Sequence, residues 1–337
     1  MQVKTIRIVS LSAGTLGEDF VRHELEIGLQ RLRAWGVQVQ FGAHALRGRD
    51  YIAAHPEARA ADLCDAFRDP AVDMILCAIG GDDTYRLLPS LFSHDELKNA
   101  VTNKIFLGFS DTTVNHLMLH KLGLPTFYGQ AFLSDVCEIA DTMLPYTERY
   151  FTELLHTGAI RQVTPSPVWY DGRTDFSPAA VGSAMPAHPN AGFELWQGPA
   201  RFEGKILGGC IDTLFDLFDN TRYADSVETC ARYGLFPTLE DWRGKILLLE
   251  SSEEQPAPEK YRRMVEAFKQ AGVFSAVSGV LVGKPMDEKY AGDYRRILCE
   301  VVADPSLPIL GNLNIGHATP RCILPLGLPA AVGAGAQ

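Results

Sequence analysis

Residues 104–119, KIFLGFSDTTVNHLML, decide how the chain is read. Ile105-Phe106-Leu107 is a short apolar run of the kind a buried strand makes, and Val114, Leu117 and Met118 follow at helical spacing. Between them, Gly108-Phe109-Ser110-Asp111 turns the chain from strand to helix. A serine at such a junction has an exposed hydroxyl with backbone N–H groups beside it, which is how a strand-turn-helix elbow presents a nucleophile. Ser and Asp are equally common helix N-caps, and Gly is a common turn residue. The elbow signature is half met: Gly108 stands two before the serine, but Thr112, not glycine, stands two after it.

Outward from the elbow, strands and helices alternate. On the N-terminal side, residues 5–11 read as a strand, a helix follows from about Glu18, and 37–41 alternate as a second strand. Residues 58–67 read as a helix, and 72–79 as a buried strand running into Gly80-Gly81. On the other side, 125–129 closes the segment as a further strand. This order predicts a parallel sheet covered on both faces, with ligands beyond the carboxyl ends of its strands. Gly80-Gly81 and Ser110 both lie at such ends, so one crevice can hold them. From Thr164 to Gly198, prolines and glycines break the pattern, as in an interdomain linker. Its Trp169 and Trp196 read either as a binding platform or as rings packed between domains. Beyond it, 200–207 is strand-like, Gly208-Gly209-Cys210 opens a helix, Lys245–Glu250 is an apolar strand ending in a carboxylate, and 277–282 is another buried strand.

The expected fold is α/β: a Rossmann-like parallel-sheet N-terminal domain (1–165), a linker (166–198) and a smaller mixed, β-rich C-terminal domain (199–337). Two domains suit 337 residues. Hydrophobic content of 46% with 21% charged residues is that of a soluble globular protein, and no apolar run reaches the roughly 18 residues of a membrane span. The N-terminus reads as a strand, without the apolar core and cleavage site of a signal peptide, which predicts a cytoplasmic protein. A net charge of −10 argues against a nucleic-acid binder. The seven cysteines form no CxxC pair or Cys/His cluster at zinc spacing and read as reduced, buried thiols. His116 and His120, one helical turn apart, have no third ligand at a supporting spacing, and the small-residue tail 330–337 reads as frayed.

Three residues form an ordered set for nucleophilic chemistry: Ser110 at the elbow, Glu250 at a strand end, and His317 in a loop of small residues. A serine hydroxyl has too high a pKa to attack unaided; His317 would take its proton, and Glu250 would orient the imidazole and stabilise the imidazolium. The oxyanion needs two N–H donors, for which the start of the helix at Asp111 and the Gly80-Gly81 turn are the candidates.

At these residues the chain resembles the serine peptidases that comprise L,D-carboxypeptidases and microcin C resistance peptidases. The resemblance rests on Ala78-Ile79-Gly80-Gly81, Gly108–Asp111, Gly204–Cys210, Leu248–Glu254 and Gly311–His317, five short motifs in the family's order. It implies a triad of Ser110, Glu250 and His317, a backbone oxyanion hole at Gly81 and Asp111, a homodimer, and no cofactor or metal. Ile79 stands where the peptidoglycan-recycling branch carries an arginine, a natural clamp for a terminal carboxylate. The run Glu250–Glu254, the stretch Leu144–Thr147 and Trp196 look more like the microcin-resistance branch, whose members cleave aminoacyl-adenylate-type amides. Gly80 and Trp196 are then the expected substrate contacts, Trp196 stacking on a purine, and the partner is a small peptide or peptidyl nucleotide. The alternatives are an L,D-carboxypeptidase of peptidoglycan recycling and, from another class, a non-catalytic small-ligand binder on a two-domain scaffold.

Overall fold

The computed structural model describes residues 2–333. Fourteen strands carry the architecture among these residues: β1 (Thr5–Val9), β2 (Gln38–Phe41), β3 (Met74–Cys77), β4 (Ile105–Gly108), β5 (Thr126–Tyr128), β6 (Val168–Tyr170), β7 (Ala187–Pro189), β8 (Glu194–Gln197), β9 (Arg201–Cys210), β10 (Ile246–Glu250), β11 (Gly279–Gly283), β12 (Ile309–Leu313), β13 (Leu324–Leu326) and β14 (Pro329–Gly333). No helix of the described residues is long and apolar enough to cross a membrane.

The first sheet has the order β13-β5-β4-β3-β1-β2, parallel except for β13. β3 and β4 are buried along their whole length, the mark of strands covered by helices on both faces. The order 2-1-3-4-5 is a doubly wound one that reverses at β1/β3, and such a reversal opens a crevice at the strands' carboxyl ends. Ala13 after β1, Gly80-Gly81 after β3 and Ser110 after β4 all sit there.

The second sheet, β14-β9-β10-β11-β12-β8, has four parallel central strands and antiparallel edges. The α/β expectation holds: helices Pro258–Gln270 and Ala291–Val302 bury Tyr261, Met264, Phe268, Ile297 and Leu298 against this sheet. The two sheets share their cores. One apolar cluster joins Leu63, Phe67 and Leu88 to Leu247, Phe268 and Leu298, and a second joins Leu107 and Tyr128 to Ile206, Leu248 and Leu310. At about 25 cal/mol per Å² of apolar surface removed from water, a continuous core of this kind fixes the sheets against each other.

Local expectations changed in three places. β9 does not stop before Gly208; it pairs with β10 through Gly208, Gly209 and Cys210, and the helix opens only at Ile211. Residues 330–333 of the tail are not frayed, because β14 pairs with Arg201–Lys205 of β9; residues 334–337 lie outside the described residues. The segment 164–198 carries the β6–β7 hairpin and the edge strand β8, and residues 171–185 reach over the crevice.

Candidate active site

Ser110 follows β4 after one extended residue and has φ +65°, the left-handed region that a non-glycine residue occupies only when its surroundings hold it there. Those surroundings are buried bonds. Asp111 Oδ2 accepts from the Thr84 N–H (2.9 Å), the Thr84 hydroxyl (2.6 Å) and the Ser12 hydroxyl. Burial pushes the Asp111 carboxyl up, while these donors pull it down. Thr112, in place of the second elbow glycine, donates its hydroxyl to Phe109 O at 2.8 Å and ends the 3₁₀ turn Ser110–Thr112 that precedes helix Thr113–Lys121. Neither Ser110 nor Asp111 caps a helix through its side chain, so the elbow stands without the N-cap that these residue types equally suggest. His116 packs beneath it: Nε2–H donates to Gly108 O (3.1 Å), so Nδ1 accepts from Thr126 Oγ1 (2.7 Å), and burial lowers this imidazole to about 4.

The structure brings Ser110, Glu250 and His317 together. His317 Nε2 lies 3.0 Å from Ser110 Oγ, and its Nδ1–H donates to Glu250 Oε2 at 2.8 Å. The His317 N–H reaches the same Oε2 at 3.2 Å. Gly316, at φ +86°, allows this approach, since a Cβ there would lie 2.2 Å from Glu250 Oε2.

The turn Gly80-Gly81 meets the elbow directly. A Cβ on Gly80 would stand 2.7 Å from both Cβ and Oγ of Ser110, and 3.4 Å from the Asp111 N, so only glycine lets this backbone come so close. The Gly81 N–H donates to no group among the described residues.

Three contacts lay beyond the sequence reading. Tyr128, at the end of β5, donates to Glu250 Oε1 (2.6 Å) and accepts the Ser110 N–H (3.1 Å), linking the acid to the nucleophile's backbone. Arg321 ties down the histidine loop through Gly316 O (2.6 Å) and His317 O (3.2 Å), with Asp135 on its other side at 2.9 Å. Glu253 Oε2 lies 2.9 Å from His317 Nε2, on the side where Ser110 stands. Burial alone would lower the imidazole, but Glu250 and then Glu253 overcome it and raise His317 to about 10. The Glu253 side chain is 65% exposed, so water screens its share and the buried Glu250 is the larger influence.

Trp196 is not brought to this site. It lies on edge strand β8 with its indole pressed on Gly311 of β12, where a Cβ would fall 2.0 Å from the ring. Trp169 stacks on His188 in the β6–β7 hairpin, centroids 4.3 Å apart. The aromatic rings that do line the cleft are Phe20, Phe109 and Phe176.

Two lobes open at Ser110. The larger, about 610 Å³, is roofed by Gly172, Arg173, Phe176 and Met185 and floored by Ile79, Leu133 and Leu144. The smaller, about 360 Å³, is polar, with Arg49, Arg222, Asp212, Asp216, Thr213 and Glu254. Cys210, Glu250 and His317 are the one group of potential metal ligands among the described residues. It is a poor one: Glu250 and His317 already bond to each other, and burial pushes the Cys210 thiol far from its ligating, deprotonated form.

Comparison with known proteins shows the family. The LD-carboxypeptidase N-terminal domain of the S66 peptidases matches residues 6–129, and the LD-carboxypeptidase C-terminal domain matches 203–332. A Treponema pallidum protein described as a carboxypeptidase is 30% identical over 307 residues, 90% of this chain and 82% of its own. The Escherichia coli microcin C7 self-immunity protein MccF is 26% identical, over 81% of this chain and 75% of its own. The crystal structure of a MccF-like protein from Streptococcus pneumoniae in complex with AMP superposes with a TM-score of 0.98 at 58% identity, covering 99% of this chain and 97% of that one. The chain belongs to the S66 peptidase family, that of the LD-carboxypeptidases and MccF.

Proposed function

We propose that this S66 peptidase is a serine hydrolase that cleaves a small peptide-like amide through an acyl-enzyme, with an aminoacyl nucleotide as substrate. The observation that carries the reading is the position of the His317 imidazole between Ser110 Oγ and Glu250 Oε2. His317 Nε2 accepts the Ser110 proton as Oγ attacks the carbonyl; the oxyanion takes the Gly81 and Asp111 N–H groups. The imidazolium, held by Glu250, then protonates the departing nitrogen. A water activated by the same imidazole releases the acid and restores the serine. An imidazolium cannot begin this cycle, and Glu253, which favours that form from the Nε2 side, opposes the reaction while it stays there.

The substrate reading is supported by the AMP complex of the S. pneumoniae relative and by the self-immunity role in the name of the E. coli one. A Bacillus subtilis relative, 27% identical over 92% of this chain, is described as a murein peptide carboxypeptidase. Exocarboxypeptidase action requires a cation to hold a terminal carboxylate. Both arginines of the larger lobe are already engaged, Arg173 by Glu138 and Arg321 by Asp135. The enzyme acts as a cytoplasmic homodimer in this account; light scattering on the purified protein checks the dimer.

The test is a side-by-side assay of an aminoacyl-sulfamoyl adenosine and a murein tetrapeptide with wild type and Ser110→Ala. Wild type should turn over the first, and Ser110→Ala neither, with an unchanged melting temperature. Wild-type turnover by Ser110→Ala would remove the nucleophile assignment, and preference for the tetrapeptide would reverse the substrate assignment.

A further inference from the structure

The smaller lobe is strongly acidic. Five carboxylates line it, Asp82, Asp212, Asp216, Glu253 and Glu254, against two arginines. Arg222 is already shared, reaching Asp82 at 3.5 Å, Asp216 at 3.4 Å and Glu254 at 2.5 Å. Arg49 turns the other way: its Nε–H donates to Thr15 Oγ1 at 3.3 Å, and its guanidinium stands 5.1 Å over the Phe20 ring of the larger lobe. Glu253 faces His317.

Asp212 is left half-satisfied. It is 5% exposed at the wall of this lobe; Oδ2 accepts the Ser252 N–H at 2.9 Å, while Oδ1 takes no hydrogen bond among the described residues. Lys260, which does not line the lobe, stands 3.9 Å from Oδ1 and is drawn to Glu254 at 3.3 Å. A buried carboxylate oxygen without a donor is costly, and a positive group entering the lobe would relieve that cost. The cations present do not meet the acids. Burial pushes the Asp216 carboxyl up to about 7 against the pull of Arg222, with Asp111 and Asp212 adding to the rise.

The larger lobe decides which end of the substrate comes here. At about 610 Å³, with the rings of Phe20, Phe109 and Phe176 along it, it has the room and the flat apolar walls that a nucleoside takes. The acyl part of an aminoacyl nucleotide is left with the lobe of about 360 Å³ on the other side of Ser110.

We propose that the smaller lobe selects acyl groups with a cationic side chain, the ammonium of a lysyl or the guanidinium of an arginyl group, and that Asp212 is the specificity-determining residue that receives it. This deepens the hydrolase reading above and rests on it. It requires no new chemical step: the same amide is broken at Ser110, and the side-chain cation orients the acyl group. An aspartyl group in the same lobe meets like charges, which disfavours it.

The experiment compares kcat/KM for wild type, Asp212→Asn and Asp216→Asn on lysyl-, norleucyl- and aspartyl-sulfamoyl adenosine, which share the α-ammonium and differ in side-chain charge. Wild type should prefer the lysyl compound to the norleucyl one by about tenfold or more, with the aspartyl compound poorest. Asp212→Asn keeps an acceptor for the Ser252 N–H and should lose most of that preference, mainly through KM, while changing the norleucyl compound less than about threefold. Asp216→Asn should lower the preference by a smaller factor, and it carries the test if Asp212→Asn does not fold. A wild-type preference for the norleucyl or aspartyl compound, a uniform loss on all three, or an unchanged lysyl preference in a folded variant overturns the assignment. Calorimetric titration of the Ser110→Ala protein with the same compounds separates this from the hydrolase reading. Selective lysyl binding without wild-type turnover overturns that reading alone; equal affinity for the three compounds, or binding of none, overturns the role of the acidic lobe.

Discussion

The two lobes that meet at Ser110 are built on opposite terms. The larger is walled by Ile79, Leu133, Leu144, Phe176 and Met185, with its charges paired except at Glu24. The smaller is walled by polar and charged groups from the ends of β9 and β10 and the loops beyond them, with Arg222 reaching Asp216 at 3.4 Å and Glu254 at 2.5 Å. The first sheet supplies the hydroxyl and the backbone donors between them, and the second supplies Glu250. A nucleophile on such a boundary meets a bond whose two sides are held by different chemistry. Binding energy from both ends can then be spent on orienting the carbonyl, which is where well-placed groups yield most of their rate.

That comparison can be broken first at the boundary itself. Gly80→Ala places a methyl 2.7 Å from both Cβ and Oγ of Ser110, so the turn or the nucleophile has to shift. Its kcat/KM should fall by about 10³, the scale of losing an oxyanion donor, while AMP binding by calorimetry is retained. Activity within tenfold of wild type would show that the turn is not part of the reacting site.

The next test concerns Glu253, which lines both lobes. Its carboxylate stabilises the imidazolium, and the base works only when neutral, above its pKa. Glu253→Gln removes the smaller of the two influences that raise His317 to about 10. The acid limb of the kcat/KM profile should therefore move to lower pH, by up to about one unit, with a several-fold gain near neutrality. A limb that stays or moves upward contradicts the contact's role.

The smallest kinetic effect is expected at Trp196. Since its ring covers Gly311 and enters neither lobe, Trp196→Ala should cost about 3 kcal/mol of stability in denaturant melts and leave kcat/KM within about twofold. A large rise in KM for the nucleotide would return Trp196 to the site.

The contrast between Trp196 and Glu250 also shows what was legible in the sequence. Ile246–Glu250 reads as a buried strand because it is apolar up to its closing carboxylate, and it is buried throughout; a carboxylate ending such a strand stands at the crevice by topology alone. The elbow reads for the same reason. The ring of Trp196 is placed by Gly311, which only the pairing of β8 with β12 brings beneath it, and a proline-rich segment gives no register from which to see that pairing. Tyr128 and Arg321 escaped for a like reason. Tyr128 meets an acid 122 positions away, and Arg321 meets an aspartate 186 away, across the antiparallel strand β13 that the second half of the chain adds to the first sheet. Residue type and local period mark what a strand end can present; they do not mark which distant side chain completes it.

The central claim is that Ser110 is the nucleophile activated by His317, and a fluorophosphonate label read by peptide mass spectrometry tests it most directly. The account predicts a single adduct on the peptide containing Ser110, lost in Ser110→Ala and strongly slowed in His317→Ala. An adduct on another residue, or no adduct from a protein that still turns over its amide substrate, would contradict it.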